Sequence, residues 1–280
     1  MTIGIAAPLP AYTIDPAFMA QKSEALGFDS IWYAEHPAVP VESASAFPAT
    51  GGNIPWQYSH FDEPYIALAR ASAVTSTILL ATGITLVPQR HPLILAKVIA
   101  SLDYHSGGRY VFGVGTGWLQ EEIELMGGNF RMRWTQTREY IEAMKALWMN
   151  DAAEYHGRFI DFPLLRVYPK PARKPHPPVL IGGMAPKVLE RIVACADGWL
   201  PNRITPAELE AARRELDSRA ADAGRDPSSI SITVFGQPAD PVLARSLLDA
   251  GADRVVIRPN HVDTQDEMEA QLESIASALL

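Results

Sequence analysis

Short apolar runs alternate with helix-like segments along the whole 280-residue chain, and this alternation is the strongest constraint on its fold. The eight runs that read as strands are IGIAA, DSIWYA, ILLATGITLVP, RYVFGVG, PVLIGG, DGWLPN, SISITVFG and DRVVIRPN. Each run is followed by a helical pattern, and no break in composition divides the chain. Eight β–α units predict a single (β/α)8 TIM barrel over residues 1–280. A doubly wound open sheet is the alternative, and the count of eight disfavours it.

Two connections are too long to be simple turns. Residues 34–61 follow the second strand, at the face where barrel enzymes carry their active sites. The aromatic residues of this loop could cover a pocket as a lid does, or could pack on the barrel rim; they are Phe47, Trp56, Tyr58 and Phe61. Residues 151–178 form an insertion before the fifth strand, and YHGRFIDF within it predicts a short structural hairpin. Asp62 is predicted to cap the helix that has Pro64 in its first turn.

Composition excludes several classes of protein. The net charge of −8 argues against a nucleic-acid partner. No apolar run reaches the 18 residues of a transmembrane helix, and the N-terminus lacks the basic region of a signal peptide. The single cysteine, Cys195, suits a reducing compartment, so we expect a cytoplasmic protein. Histidine and cysteine spacing predicts no metal site.

The stretch FGVGTGWLQEE, residues 112–122, raises the question of a dinucleotide site. Its spacing is G-x-G-x-G, and it ends the fourth strand, so it does not match the G-x-G-x-x-G fingerprint of a first strand. Glycines at a strand end instead permit close approach to the backbone, either by tight packing or by a flat ring. In the second case Trp118 would border the ring.

Other strand ends offer candidate functional residues. In LIGGMAPKVLE the chain passes Gly182 and Gly183 and enters a helix with Pro186 near its first turn, a place suited to a phosphate. Glu35 and His36 end the second strand, where a histidine can move a proton or tune a cofactor. The alternative for His36 is a structural role at the start of the long loop.

The sequence resembles the luciferase-like monooxygenase superfamily. The stretch LATGITLVPQRHPLILAKVIASLDYHSGGRYVFGVGTGWLQEE carries the strongest likeness, and ALWMNDAAEYHGRFIDF, PKPARKPHPPVLIGG and ADGWLPN continue it in order. Within the superfamily the chain is most similar to the oxidoreductases of actinobacterial type predicted to use the deazaflavin coenzyme F420.

The resemblance implies a cofactor site at the carboxyl ends of the strands. A cis peptide is implied at or near Ile84–Thr85, with the ring touching Ile84, Thr85 and Leu86. Gly117 and Trp118 would lie near the ring, and the backbone of Gly182, Gly183 and Met184 near phosphate. His36 and Glu35 would be the catalytic residues. Some relatives have a glutamate where this chain has Trp118, which makes their sugar-phosphate chemistry doubtful here.

The implied function is hydride transfer between F420 and a small organic substrate, in a homodimer. An FMN-dependent monooxygenase on the same fold is the first alternative. A barrel that binds a flavin or deazaflavin without catalysis is the second, since Trp118 replaces an acid.

Overall fold

The computed structural model describes residues 1–280. Its strands are β1 (Ile3–Ala6), β2 (Ser30–Tyr33), β3 (Leu79–Thr82), β4 (Thr85–Leu86), β5 (Tyr110–Gly115), β6 (Ala153–His156), β7 (Asp161–Leu165), β8 (Val179–Gly182), β9 (Gly198–Leu200), β10 (Ser231–Gln237) and β11 (Arg254–Ile257). Its α-helices are α1 (Pro16–Leu26), α2 (Pro64–Val74), α3 (Pro92–His105), α4 (Gln120–Leu125), α5 (Arg133–Met149), α6 (Val188–Cys195), α7 (Pro206–Asp222), α8 (Pro241–Asp249) and α9 (Gln265–Leu279).

Eight parallel strands close into a barrel, which confirms the predicted (β/α)8 fold. The order is β3–β2–β1–β11–β10–β9–β8–β5, and β5 pairs back with β3 to close the cylinder. Helices follow each strand and cover the outside. The predicted hairpin is also present as the antiparallel pair β6–β7, outside the barrel.

The third predicted strand is not continuous, which is the main difference from the sequence prediction. ILLATGITLVP divides into β3 and the two-residue β4, which continues the pairing with β5. The cis peptide lies between Gly83 and Ile84, one bond before the position expected from the resemblance. Residues 83 and 84 separate the two strands, and Ile84 lines the cavity at the carboxyl ends of the barrel strands.

Two helix starts also differ from prediction. Glu63, not Asp62, caps α2, because Pro64 is the first helical residue and the carboxylate of Glu63 accepts hydrogen bonds from the N–H groups of residues 65 and 66. The helix α6 begins at Val188, so Pro186 lies in the turn before it.

The barrel interior is filled by one side chain from each strand, large beside small. The eight are Ala6, Trp32, Ala81, Val111, Leu180, Leu200, Phe235 and Val256. A larger core of 54 buried residues lies between the sheet and its helices. Because strand side chains alternate in direction, the next inward positions of β5 after Val111 are Gly113 and Gly115.

The connection from β2 to α2 is the long loop, residues 34–61. It contains one short 3-10 turn, Trp56–Ser59, and lies over the carboxyl ends of the strands. None of the helices combines the length and apolar character needed to cross a membrane.

Candidate active site

A cavity of about 290 Å³ lies at the carboxyl ends of the strands and opens to solvent. Eight of the ten sequence-predicted site residues line it: Glu35, His36, Ile84, Leu86, Gly117, Trp118, Gly182 and Gly183. Its size is at the lower end for small-molecule sites, and its open mouth leaves room for a longer ligand to extend outward.

The other two predicted residues lie beside the cavity. Thr85 is fully buried, and its hydroxyl pairs with the hydroxyl of Tyr65 at 2.8 Å behind the cavity wall. Met184 is 44% exposed and lines an adjoining depression with Trp118 and Arg203. Side-chain contact with a molecule in the main cavity is therefore not available to Thr85 in this arrangement.

The glycines of β5 make room for two neighbouring residues, Thr82 and Ile84. A Cβ on Gly113 would overlap the carbonyl oxygen of Thr82, and one on Gly115 would overlap Cδ1 of Ile84. Gly182 faces the same side chain, since its Cβ would lie 2.9 Å from Cγ2 of Ile84. Gly113 and Gly115 are thus tightly packed, as one of the two interpretations predicts. Gly115, Gly117 and Gly182 also line the cavity, so a flat ring lying against them stays a proposal.

His36 is fixed by a buried carboxylate. Its Nδ1 lies 2.8 Å from Oε2 of Glu122, and the two side chains are 6% and 0% exposed. Glu122 also accepts hydrogen bonds from Nε2 of Gln89 at 3.1 Å and from the N–H of Ala38 at 3.3 Å. With Nδ1–H donated to the carboxylate, Nε2 is the ring nitrogen left for a molecule in the cavity.

Aromatic rings surround His36 on the loop side. Ring centroids of Tyr58, Phe61 and Trp118 lie 5.3, 5.4 and 5.7 Å from the imidazole. Phe47 packs against both Tyr58 and Trp118. The fourth aromatic residue of the loop, Trp56, is 59% exposed and contacts His60 instead, so it takes no part in this collar.

Glu35 is buried and engaged on both oxygens. It accepts from the N–H of Leu86 at 2.5 Å and forms a multiple hydrogen-bonded ion pair with Arg90, which also pairs with Glu63. Burial raises the pKa of the Glu35 carboxyl, although the pairing with Arg90 opposes this. Burial opposes the charge on Arg90, yet its hydrogen bonds to Glu35 keep the pKa of the guanidinium above its ordinary value.

The turn before α6 has the features of a phosphate cradle. The N–H groups of Met184, Ala185 and Lys187 have no acceptor in the protein, and they precede the positive end of a helix. Gly183 has a φ of +98°, and a Cβ there would meet nothing within 4 Å. An apolar floor beside free backbone donors fits a planar ring carrying a phosphate chain, as flavins and deazaflavins do. No group of three or more His, Cys, Asp or Glu side chains is arranged to hold a metal ion.

Sequence reasoning missed two charged residues of the site. Glu122 has the spacing of the apolar face of α4, with Leu119 and Ile123 also buried, so an acid in that stripe was a readable signal. Arg258 lines the cavity directly after the apolar strand β11, the position where barrels carry functional residues.

The chain is similar in sequence to known proteins. Residues 15–239 match the family model described as luciferase-like monooxygenase. The chain belongs to this family. An uncharacterized protein of Mycobacterium tuberculosis (strain H37Rv) is 38% identical over 237 residues, which cover 83% of each protein.

One sequence relative and two solved structures have named activities. The F420-dependent hydroxymycolic acid dehydrogenase of M. tuberculosis is 29% identical over 265 residues, covering 90% of this chain and 67% of the relative. The coenzyme F420-dependent tetrahydromethanopterin reductase of Methanopyrus kandleri superposes with a TM-score of 0.76 at 19% identity, covering 99% and 98%. The oxygenating constituent of 3,6-diketocamphane monooxygenase from Pseudomonas putida, in complex with FMN, has a TM-score of 0.74 at 16% identity, covering 100% and 98%. The sequence relative with a named activity is thus an oxidoreductase, and the two structures share the fold of this chain.

Proposed function

We propose that the protein is an F420-dependent oxidoreductase acting on a small organic substrate. The observation that carries the proposal is the buried His36–Glu122 pair, which faces a cavity floored by Ile84. The named dehydrogenase relative supports F420 as the cofactor. A bound deazaflavin would supply a carbon that gives or accepts a hydride. The residues of the site would bind the cofactor, orient the substrate and exchange a proton with it.

The residues that would hold the cofactor divide into a ring site and a phosphate site. Ile84, Leu86, Gly117 and Trp118 would contact the ring, with Thr85 behind them in the wall. The free N–H groups from Met184 onward, with Gly182 and Gly183, would hold the phosphate.

His36 would exchange a proton with the substrate oxygen through Nε2. Its Nδ1 is held by Glu122, which fixes the ring orientation and stabilises the imidazolium when His36 carries the proton. Glu35 touches Leu86 and Arg90, so we propose that it positions the wall of the ring site. The aromatic collar would exclude water around His36.

An FMN-dependent monooxygenase is the second candidate. The FMN-bound structural neighbour shares the fold, and the same floor and phosphate cradle suit either ring system. A barrel that binds the cofactor without turnover is a third possibility, which the experiment below separates.

Turnover distinguishes these functions. We expect the purified protein to change the visible absorbance of F420 when mixed with a panel of small alcohols, or of carbonyl compounds with reduced F420. His36→Gln should lower kcat at least about 100-fold, the loss typical of a general acid–base, with little change in F420 affinity. Full activity of this variant would contradict the role of His36. Oxygen consumption with reduced FMN, without any of the F420 reactions, would favour the monooxygenase. Tight F420 binding with no turnover would favour the barrel that binds the cofactor without catalysis.

The homodimer stays a proposal, and sedimentation of the purified chain would test it.

A further inference from the structure

Arg258 is a cation in the cavity without a protein partner. It follows β11 directly, lines the same cavity as His36, and its guanidinium forms no hydrogen bond or ion pair with another side chain. The two carboxylates nearest the cavity are already committed, Glu35 to Arg90 and Glu122 to His36. A charged group without a partner in a site of this kind is a group available to a ligand.

The local backbone is built around this guanidinium. The register between β10 and β11 shifts between Val234 and Gln237, so two residues of β10 oppose one of β11. Phe235 lies in this bulge and its ring lines the cavity, and Arg258 lies over that ring at 5.6 Å. Gly236 has a φ of +74°, and a Cβ there would lie 3.3 Å from Nη2 of Arg258. A larger residue at 236 would be strained and would press on the guanidinium.

A second unpaired arginine adds to the positive charge at the mouth. Arg203 lines the adjoining depression with Tyr58 and Asn202 and forms no ion pair or hydrogen bond. It is the only residue other than glycine with a positive φ, +52°, a conformation that is uncommon and is concentrated at functional sites. Burial lowers the pKa of Arg258, and repulsion from Arg203 adds to this effect, although the nearby Tyr58 opposes it. A bound anion would offset both the burial of the Arg258 charge and its repulsion from Arg203.

We infer that Arg258, assisted by Arg203, binds a carboxylate or phosphate group of the substrate. This inference rests on the proposed function for one point, that the anionic group belongs to a substrate that undergoes hydride transfer. The cofactor phosphate has its own donors in the free N–H groups before α6, three strands around the barrel from β11. Arg258 also lies in the same cavity as His36, so a substrate could be held at its anionic end while its oxygen meets the imidazole.

The first experiment needs no cofactor and no substrate. Inorganic phosphate and succinate are titrated at constant ionic strength against the full chain, and thermal unfolding is followed. We expect succinate to raise the Tm of the wild-type protein and not that of Arg258→Met, because only the folded cavity binds it. Phosphate should raise the Tm of both proteins and that of the wild type more, because the free N–H groups before α6 are present in both. Arg258→Lys should retain part of the shift. Arg245→Met is the matched control, since Arg245 is an exposed and unpaired arginine on α8, and it should behave as the wild type.

Equal anion protection in the wild type and Arg258→Met would overturn the inference. A second experiment determines whether the anionic group that Arg258 binds belongs to the substrate or to the cofactor. F420 and its ring fragment, which lacks phosphate and carboxylates, are titrated into the wild type and Arg258→Met. Unchanged F420 affinity in the variant supports a substrate anion. A loss of roughly 10- to 100-fold for F420 and none for the ring fragment would assign Arg258 to the cofactor and overturn the substrate proposal. Failure of the proposed function is recognised separately, by the absence of F420 binding to the wild type.

Discussion

His36 and Glu122 form the pair on which the proposed chemistry depends. Glu122 is fully buried and holds Nδ1 of His36, so it acts through the histidine. We expect Glu122→Gln to lower kcat roughly 10- to 100-fold, less than loss of the proton donor itself, because the ring is still present but less well oriented. Affinity for F420 should be unchanged. Steady-state kinetics and a cofactor titration measure both quantities.

Glu124→Gln is the control for this variant. Glu124 lies on the same helix, is exposed and contacts only Gln120, so its substitution should leave kcat unchanged. Equal kinetics for Glu122→Gln and Glu124→Gln would show that the carboxylate does not support His36.

Gly115 tests the packing of the cavity floor. A methyl group there would overlap Cδ1 of Ile84, so Gly115→Ala should lower the free energy of unfolding by about 1–3 kcal/mol. In an Ile84→Val background, which removes Cδ1, the same substitution should cost less. Urea denaturation of the two single variants and the double variant gives this coupling. Additive costs would mean that the two side chains do not share the space.

At the scale of elements, the loop of residues 34–61 is anchored to α4 by Glu121. Its carboxylate accepts from the hydroxyl of Ser45 at 2.7 Å and from the N–H groups of Ala44 and Ser45. These hydrogen bonds lower the pKa of Glu121 to about 2, and the bond from the Ser45 hydroxyl has the largest effect. Because this folded-state pKa is depressed, the anchor is complete above the ordinary glutamate pKa and is lost as pH falls toward 2.

We therefore expect Glu121→Gln to loosen this loop and little else. The amides of Ala44 and Ser45 should exchange with deuterium about tenfold faster near neutral pH, while those of β5 should be unchanged. The difference between variant and wild type should narrow as pH is lowered toward 2. Exchange that is equally fast in both proteins at neutral pH would contradict the anchor.

Elements were predictable from sequence where the signal is local. The hairpin and the eight strand–helix units have their own periodicity, and all are present. The interruption of the third strand was not readable from its pattern, since ILLATGITLVP is mostly apolar and β-branched and has the composition of one continuous strand. That interruption depends on space that Gly113, Gly115 and Gly182 leave on neighbouring strands. Glu122 was readable as an acid on an apolar helix stripe, but its partner was not, because His36 lies 86 residues earlier and meets it only in the folded barrel.

At the scale of the whole molecule, the barrel brings the proposed functional groups to one rim. The His36–Glu122 pair, the Ile84 floor, the N–H groups before α6 and Arg258 belong to different β–α units. Closure of the sheet between β3 and β5 places them around one cavity. The family resemblance could therefore indicate the cofactor class from sequence, whereas Arg258 needed the folded structure.

The proposed chemistry depends on F420 being the cofactor, and an equilibrium titration compares F420 with FMN. Purified protein is titrated with F420 and, separately, with FMN, and binding is followed by quenching of cofactor fluorescence. We predict saturable binding of F420 at least about tenfold tighter than that of FMN. Saturable binding of FMN without binding of F420 would contradict the account.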